Sequence, residues 1–223
     1  MVLAGLGCYA GVMPVDRNRD SIVLSLFDHT TNFVRPWADA GFLCYCVDLQ
    51  HPTGEQWEGN IVRVGADLQE YLPPRGRYVF CAAFPPCTHL AVSGARWFRG
   101  KGLGKLAESI GLFHRATQIC AWTGAPYLVE NPVSTISTYW RPPDFTFDPC
   151  DYGDPWTKKT CLWTGGGFVM PQKRRVEPVL GSLIHRLPPG PDRANLRSAT
   201  PAGFARAVFE ANCDESVRGG VVA

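Results

Sequence analysis

Short apolar runs alternate along this chain with stretches of helical period, the pattern of βαβ units around a mostly parallel sheet. SIVLSLF (21–27) predicts a first strand, FVRPWADAGF (33–42) a short helix closed by Gly41, and LCYCVDL (43–49) a second strand ending near Asp48. NIVRVGADL (60–68) is a weaker third strand and RYVFCAAF (77–84) a fourth. Over 105–122, Leu106, Ile110, Phe113, Thr117 and Cys120 step by four and three, which predicts an amphipathic helix. PYLVE (126–130) and KTCLWTG (159–165) are later strands, and TPAGFARAVFEAN (200–212) opens with Thr-Pro and continues as a last helix.

These elements imply one α/β domain over 21–223, with a tail at 1–20 and a Pro-, Gly- and Arg-rich excursion at 165–197. A chain of 223 residues supports one substantial core. The apolar start MVLAGLGCYAGVMPV lacks a basic leader and reads as a tail or docking segment rather than a signal peptide. No run approaches the roughly 18–20 apolar residues of a membrane span, so the expected setting is cytoplasmic.

Charge narrows the choice of partner. A net charge of +2 gives no dominant basic field, so any nucleic-acid contact depends on local clusters such as QKRR (172–175). Nine cysteines form no CxxC pair, which argues against a zinc site or a disulfide framework and for reduced thiols; no metal is expected. The closest pair, Cys44-Tyr-Cys46, is read as pointing to opposite faces of a strand.

Three chemistry-bearing residues lie at predicted strand ends: Asp48, Cys87 and Glu130. Ligands of open α/β sheets bind beyond the carboxyl ends of the strands, so all three are expected at one crevice. Asp48 is either a ribose-hydroxyl ligand or a surface charge, and Glu130-Asn131-Pro132 is either functional or a helix cap. Cys87 follows two prolines, which stop the strand and fix the direction in which the chain leaves it.

Five blocks, in order from 25 to 211, resemble motifs of the cytosine-5 DNA methyltransferases, in particular small, phage-type members. FPPCTHLAVSG resembles the Pro-Cys loop that bears the family's nucleophile, and YLVENPV (127–133) its Glu-Asn motif. DYGDPWTKKTCLWTG (151–165) is similar to Asp-Tyr-Gly-x-Pro-Gln-x-Arg-x-Arg followed by an apolar strand. RSATPAGFARAVFEA (197–211) resembles the last motif, and SLFDHTTNF (25–33) stands where the family has Asp-Leu-Phe-x-Gly-x-Gly-Gly-Phe.

The resemblance implies a Rossmann-like, class I methyltransferase-like fold and a DNA cytosine-5 methyltransferase. Cys87 would add to carbon 6 of cytosine, turning the ring into an enamine nucleophilic at carbon 5. Glu130 would protonate or hydrogen-bond ring nitrogen 3, Asn131 would support the loop or the base edge, and Lys158 would contact the base or a phosphate. The implied cofactor is S-adenosylmethionine, in contact with Phe27, Asp28, Thr30, Asn32, Asp48, Asp67, Pro85 and Ser198. DNA or a pyrimidine nucleotide is the expected partner, through His89, Arg96, Arg99, Lys101, Arg174 and Arg175. The segment 88–105, with its glycines and basic residues, is either a mobile loop that closes on DNA or an ordinary connector. A base inside a duplex must be flipped out or presented on a single strand before carbon 6 is reachable.

Three departures from the family pattern bear on the expectation. His29, Thr31 and Asn32 replace the glycines of the cofactor loop, Trp156 replaces the motif Gln, and Thr160 its second Arg. Family members usually carry a target-recognition domain where this chain has only residues 165–196, so low sequence specificity, or a single-stranded or free-nucleotide substrate, is expected. The same Cys–Glu chemistry with another donor or pyrimidine, and a non-catalytic nucleic-acid-binding relative, are the alternatives.

Overall fold

The computed structural model describes residues 18–186 and 188–213. The tail expected at 1–20 therefore lies almost wholly outside the described residues. Five strands run parallel: β1 (Ser21–Leu26), β2 (Leu43–Val47), β4 (Ile61–Gly65), β5 (Arg77–Ala83) and β6 (Tyr127–Pro132). β3 (Gly54–Glu58) is antiparallel to β4, and β8 (Thr160–Gly165) is antiparallel to both β6 and β7 (Phe145–Phe147). The order across the open sheet is β3-β4-β2-β1-β5-β6-β8-β7. The protein is α/β with a Rossmann-like, mostly parallel sheet.

Alternation along the strands feeds two cores. On one face Leu24, Leu26, Cys81, Ala83, Val129 and Trp163 pack against Phe113, Ala116, Ile119 and Cys120 of α2 (Phe98–Trp122). On the other, Val23, Phe80, Ala82, Leu128 and Leu162 meet Trp37 of α1 (Arg35–Asp39) and Phe204, Val208 and Phe209 of α6 (Ala202–Asn212). Every residue of β1 is buried, as a central strand covered on both faces requires. Cys44 and Cys46 share the second core while Tyr45 faces the first. This corrects the expectation of opposite faces, because residues two apart on a strand point the same way.

Three further differences from the sequence reading have physical causes. β3 is polar and largely exposed and β7 is three residues long, so neither carries an apolar signature. Within 88–105, residues Val92–Trp97 form a 3₁₀ turn and α2 begins at Phe98. Gly94, Gly100, Gly102 and Gly104 mask that helix in the sequence, although only Gly102 (φ 78°) interrupts it. β6 runs on through Pro132, paired as Glu130–Leu162 and Asn131–Cys161, so Glu130 lies inside the strand rather than at its end.

The excursion at 165–197 is mostly irregular, with short helices α4 (Leu183–Arg186) and α5 (Arg193–Ser198). It is tied inward: the Arg174 and Val176 amides donate to the Asp151 and Cys150 carbonyls, and the Thr157 amide to Gly181. Among the described residues no helix is long and apolar enough to cross a membrane.

Candidate active site

The thiol loop leaves β5 at Phe84, whose amide donates to the Leu26 carbonyl at 3.0 Å. The Cys87 carbonyl then accepts from the amides of Leu90 (3.0 Å) and Ala91 (2.9 Å), so the chain turns directly at the cysteine. Pro85 is buried and offers a carbonyl but no N–H. Asn131, fully buried on β6, fills that need by donating Nδ2–H to the Pro85 oxygen at 3.0 Å. Val92 donates to Val133, Thr135 donates to Leu90, and a bridge joins Ala91 to Ser134. The Pro-Pro-Cys and Glu-Asn-Pro segments are thereby fastened to each other.

Glu130 lies beside Lys158, with Nζ 3.8 Å from Oε1 and each side chain only 13% exposed. That distance exceeds a hydrogen bond, and Glu130 Oε1 is buried with no hydrogen-bond partner. A paired but unbonded carboxylate oxygen is poised for a ligand donor, since leaving it empty costs desolvation. The Lys158 amide is held by Asp148 Oδ1 at 2.9 Å. Burial pushes the half-buried Cys87 thiol up from its ordinary range and the Glu130 charge adds to the rise, while Lys158 and Arg197 pull it down. All three groups of the proposed chemistry therefore feel one another.

A shallow cleft runs from Glu130, Lys158 and Thr160 to Ser198, Thr200, Pro201 and Phe204, with Phe84 in its wall. A second is lined by Phe27, Asp28, His29, Thr30, Asp48 and Gln50, and by Asn195. Phe84, Ser198 and Thr200 line both, so the two adjoin. Gly203, at the start of α6, approaches so closely that an added Cβ would lie 2.0 Å from the Tyr152 carbonyl oxygen. That contact seats the helix N-terminus against the DYG segment.

The β1 loop turns without glycine. Phe27 (φ 57°) and Thr31 (φ 59°) both occupy the left-handed region, uncommon for any residue but glycine and strained for the β-branched Thr31. Asp28 holds it: its carboxylate accepts from the Ser25 hydroxyl (2.8 Å), the Thr31 amide (2.8 Å) and the Thr30 hydroxyl (3.3 Å). Burial raises the Asp28 pKa despite these bonds, and Asp48 raises it further. Asp48 Oδ1 accepts from the Gln50 amide at 2.8 Å, and Asn195 reaches the Gln50 side chain at 3.0 Å, so α5 closes over this cleft. His29 stacks on His51, their rings 5.2 Å apart, and His29 Nδ1 is buried without a partner.

The remaining sequence candidates scatter. Asn32 donates its amide to the Thr30 hydroxyl and is not a cleft residue. Asp67 lies exposed after β4, capping the Gln69 amide, away from the cleft lining. Arg96 and Arg99 are exposed, and Lys101 donates to the Thr88 carbonyl. His89 is half-buried with Nδ1 unpartnered. Arg174 is exposed, whereas Arg175 and Lys173 both pair with buried Asp151, at 2.5 and 2.8 Å. Although burial opposes it, the hydrogen bonds from Lys173, Arg175 and the Asp148 amide hold the Asp151 carboxyl below its ordinary range. Phe84, Gln50 and Asn195 are cleft residues that the sequence did not point to.

Comparison with models of known protein families gives no match, and neither does comparison with curated proteins.

Proposed function

We propose that the protein is a DNA cytosine-5 methyltransferase that works through a covalent Cys87 adduct. The observation that carries this reading is the buried, hydrogen-bond-free Glu130 Oε1, held beside Lys158 in electrostatic reach of a half-buried thiol at the end of a parallel strand. A cytosine presents donors to such an oxygen: its exocyclic amino group, and ring nitrogen 3 once protonated. Cys87 gives its proton to the Glu130 carboxylate as its sulfur bonds to carbon 6, and Glu130 passes that proton to ring nitrogen 3, which takes up the displaced electron pair. S-adenosylmethionine, when bound, supplies the electrophilic methyl group that carbon 5 takes up. Water then takes the carbon 5 proton, the carbon 5–carbon 6 double bond re-forms as Cys87 leaves as a thiolate, and nitrogen 3 returns its proton to Glu130. Lys158 keeps the Glu130 charge from suppressing the thiolate.

The neighbouring cleft supports a nucleoside-bearing donor. Phe27 offers an aromatic face, Asp48 a carboxylate for vicinal hydroxyls, and His29 Nδ1 an unsatisfied buried nitrogen. The test is base analysis by mass spectrometry after incubating DNA with the protein and S-adenosylmethionine. The reading expects 5-methylcytosine, absent with Cys87→Ser; unmodified DNA from the active-site-intact protein would sink it. A second reading, the same Cys–Glu chemistry with another donor, is favoured by His29 lining the cleft where the resembled loop has its first glycine. It expects a different mass increment on cytosine, produced from cell extract but not from S-adenosylmethionine.

A further inference from the structure

We infer that the substrate is a single strand, whose bases flanking the target stack on exposed aromatic residues around the thiol loop. The inference rests on the proposed function only for the identity of the reacting base. The bridge between Ala91 and Ser134, with the Val92–Val133 and Thr135–Leu90 hydrogen bonds, joins two segments that both leave the site. Each carries a large aromatic into solvent: Trp97, 60% exposed in the 3₁₀ turn, and Tyr139, 61% exposed at the end of α3 (Ile136–Tyr139). Val92 and Val133, also exposed, lie at the junction. Each exposed ring offers a face on which a flat partner can stack.

The charges beside it select the partner. Arg96 stacks over the Trp97 ring at 5.0 Å, and Arg99 and Lys101 follow on the first turn of α2. Aromatic faces interleaved with cations describe a surface for unpaired bases and their phosphates. A duplex keeps its base faces inside the stack, where Trp97 and Tyr139 do not reach them. Selecting a duplex by its sequence also needs a reading surface in the grooves. The excursion that would have to supply it spends Lys173 and Arg175 on Asp151, and Asn195 on Gln50.

The test uses the full chain carrying Cys87→Ser, without cofactor, and a fluorescent cytosine-containing oligonucleotide, single-stranded or annealed to its complement. Anisotropy is expected to show tighter binding to the single strand. Trp97→Ala and Tyr139→Ala should each weaken it ~10–100-fold, and Trp97→Phe should retain binding because a stacking face remains. Equal or tighter duplex binding, or alanine variants that bind the single strand as their parent does, would overturn the inference. Loss of binding in both Trp97→Ala and Trp97→Phe would also overturn it, since stacking would not be the cause. No turnover occurs in this assay, so it stands or falls apart from methyl transfer. Single-strand binding without cytosine modification by the Cys87 protein sinks the proposed function alone; modification with unaltered alanine variants sinks the aromatic surface alone.

Discussion

The loops that follow β1 and β5 leave neighbouring parallel strands at the same edge of the sheet, and they turn by opposite means. The β5 loop uses rigid residues, Pro85 and Pro86, and borrows its missing donor from Asn131. The β1 loop uses residues ill-suited to its backbone, with Phe27 and Thr31 in the left-handed region, and is clamped by one buried carboxylate. In the motif that this loop resembles, an Asp opens the block and glycines make the turn. Here Ser25 stands at the Asp position and donates to Asp28 three residues on. The pairing shows that a sharp turn beside a ligand cleft is obtainable from sequence-local stiffness or from a hydrogen-bonded clamp. In the second case the glycine signature disappears while the turn remains.

The largest effect is expected at the chemistry between the two loops. Glu130→Gln should lower turnover about 10²–10⁴-fold. The same change should speed alkylation of Cys87, because the Glu130 charge raises the thiol pKa. Iodoacetamide labelling followed by peptide mass spectrometry reads this out; Lys158→Ala should slow labelling, since Lys158 acts in the opposite direction. Labelling of the unaltered protein should climb with pH to values above those for an ordinary thiol, because only the deprotonated form reacts and burial delays its appearance.

The next largest effect breaks the borrowed donor. Asn131→Ala strands the buried Pro85 carbonyl, at a cost of about 1–3 kcal/mol in chemical denaturation, and activity should fall further than stability as the thiol loop shifts. Asp28→Ala removes the clamp of the other loop, leaving the Thr31 amide and Ser25 hydroxyl without their acceptor. It should cost about 1–2 kcal/mol, because relief of burying a carboxylate offsets part of the loss. Its functional mark should be weaker donor binding with Cys87 labelling unchanged. The smallest effect sharpens the comparison: Thr31→Gly relieves left-handed strain of ~1–3 kcal/mol at a glycine entropy cost of ~0.5–1 kcal/mol. A melting temperature equal to or slightly above the parent's is expected; a clear fall would mean that the Thr31 side chain carries packing the turn depends on.

What the chain discloses before folding follows the same contrast. The parallel strands are legible because burial on both faces demands continuous apolar runs, as in β1, and Cys87 stands out because two prolines precede it, whereas Glu130, expected at a strand end, lies inside β6. β3 and β7 leave no such trace, being polar or very short. The first turn of α2 is hidden by glycines that local propensity counts against. Asp48 is visible as a strand-end carboxylate, but Asn195, which closes over it through Gln50, comes from 145 residues further along the chain. No local pattern encodes a contact of that separation. Arg175, expected at a nucleic-acid contact, also pairs with Asp151, a partnership equally invisible in the sequence.

The most direct measurement traps the covalent bond itself. DNA carrying 5-fluorocytosine keeps a fluorine where the proton would have to leave, so in the proposed reaction the elimination that frees Cys87 would stall after methyl transfer. The account predicts a protein–DNA adduct that survives denaturation, requires S-adenosylmethionine and vanishes in Cys87→Ser. An adduct that persists in Cys87→Ser, or none at all from a protein that nevertheless methylates cytosine, would contradict it.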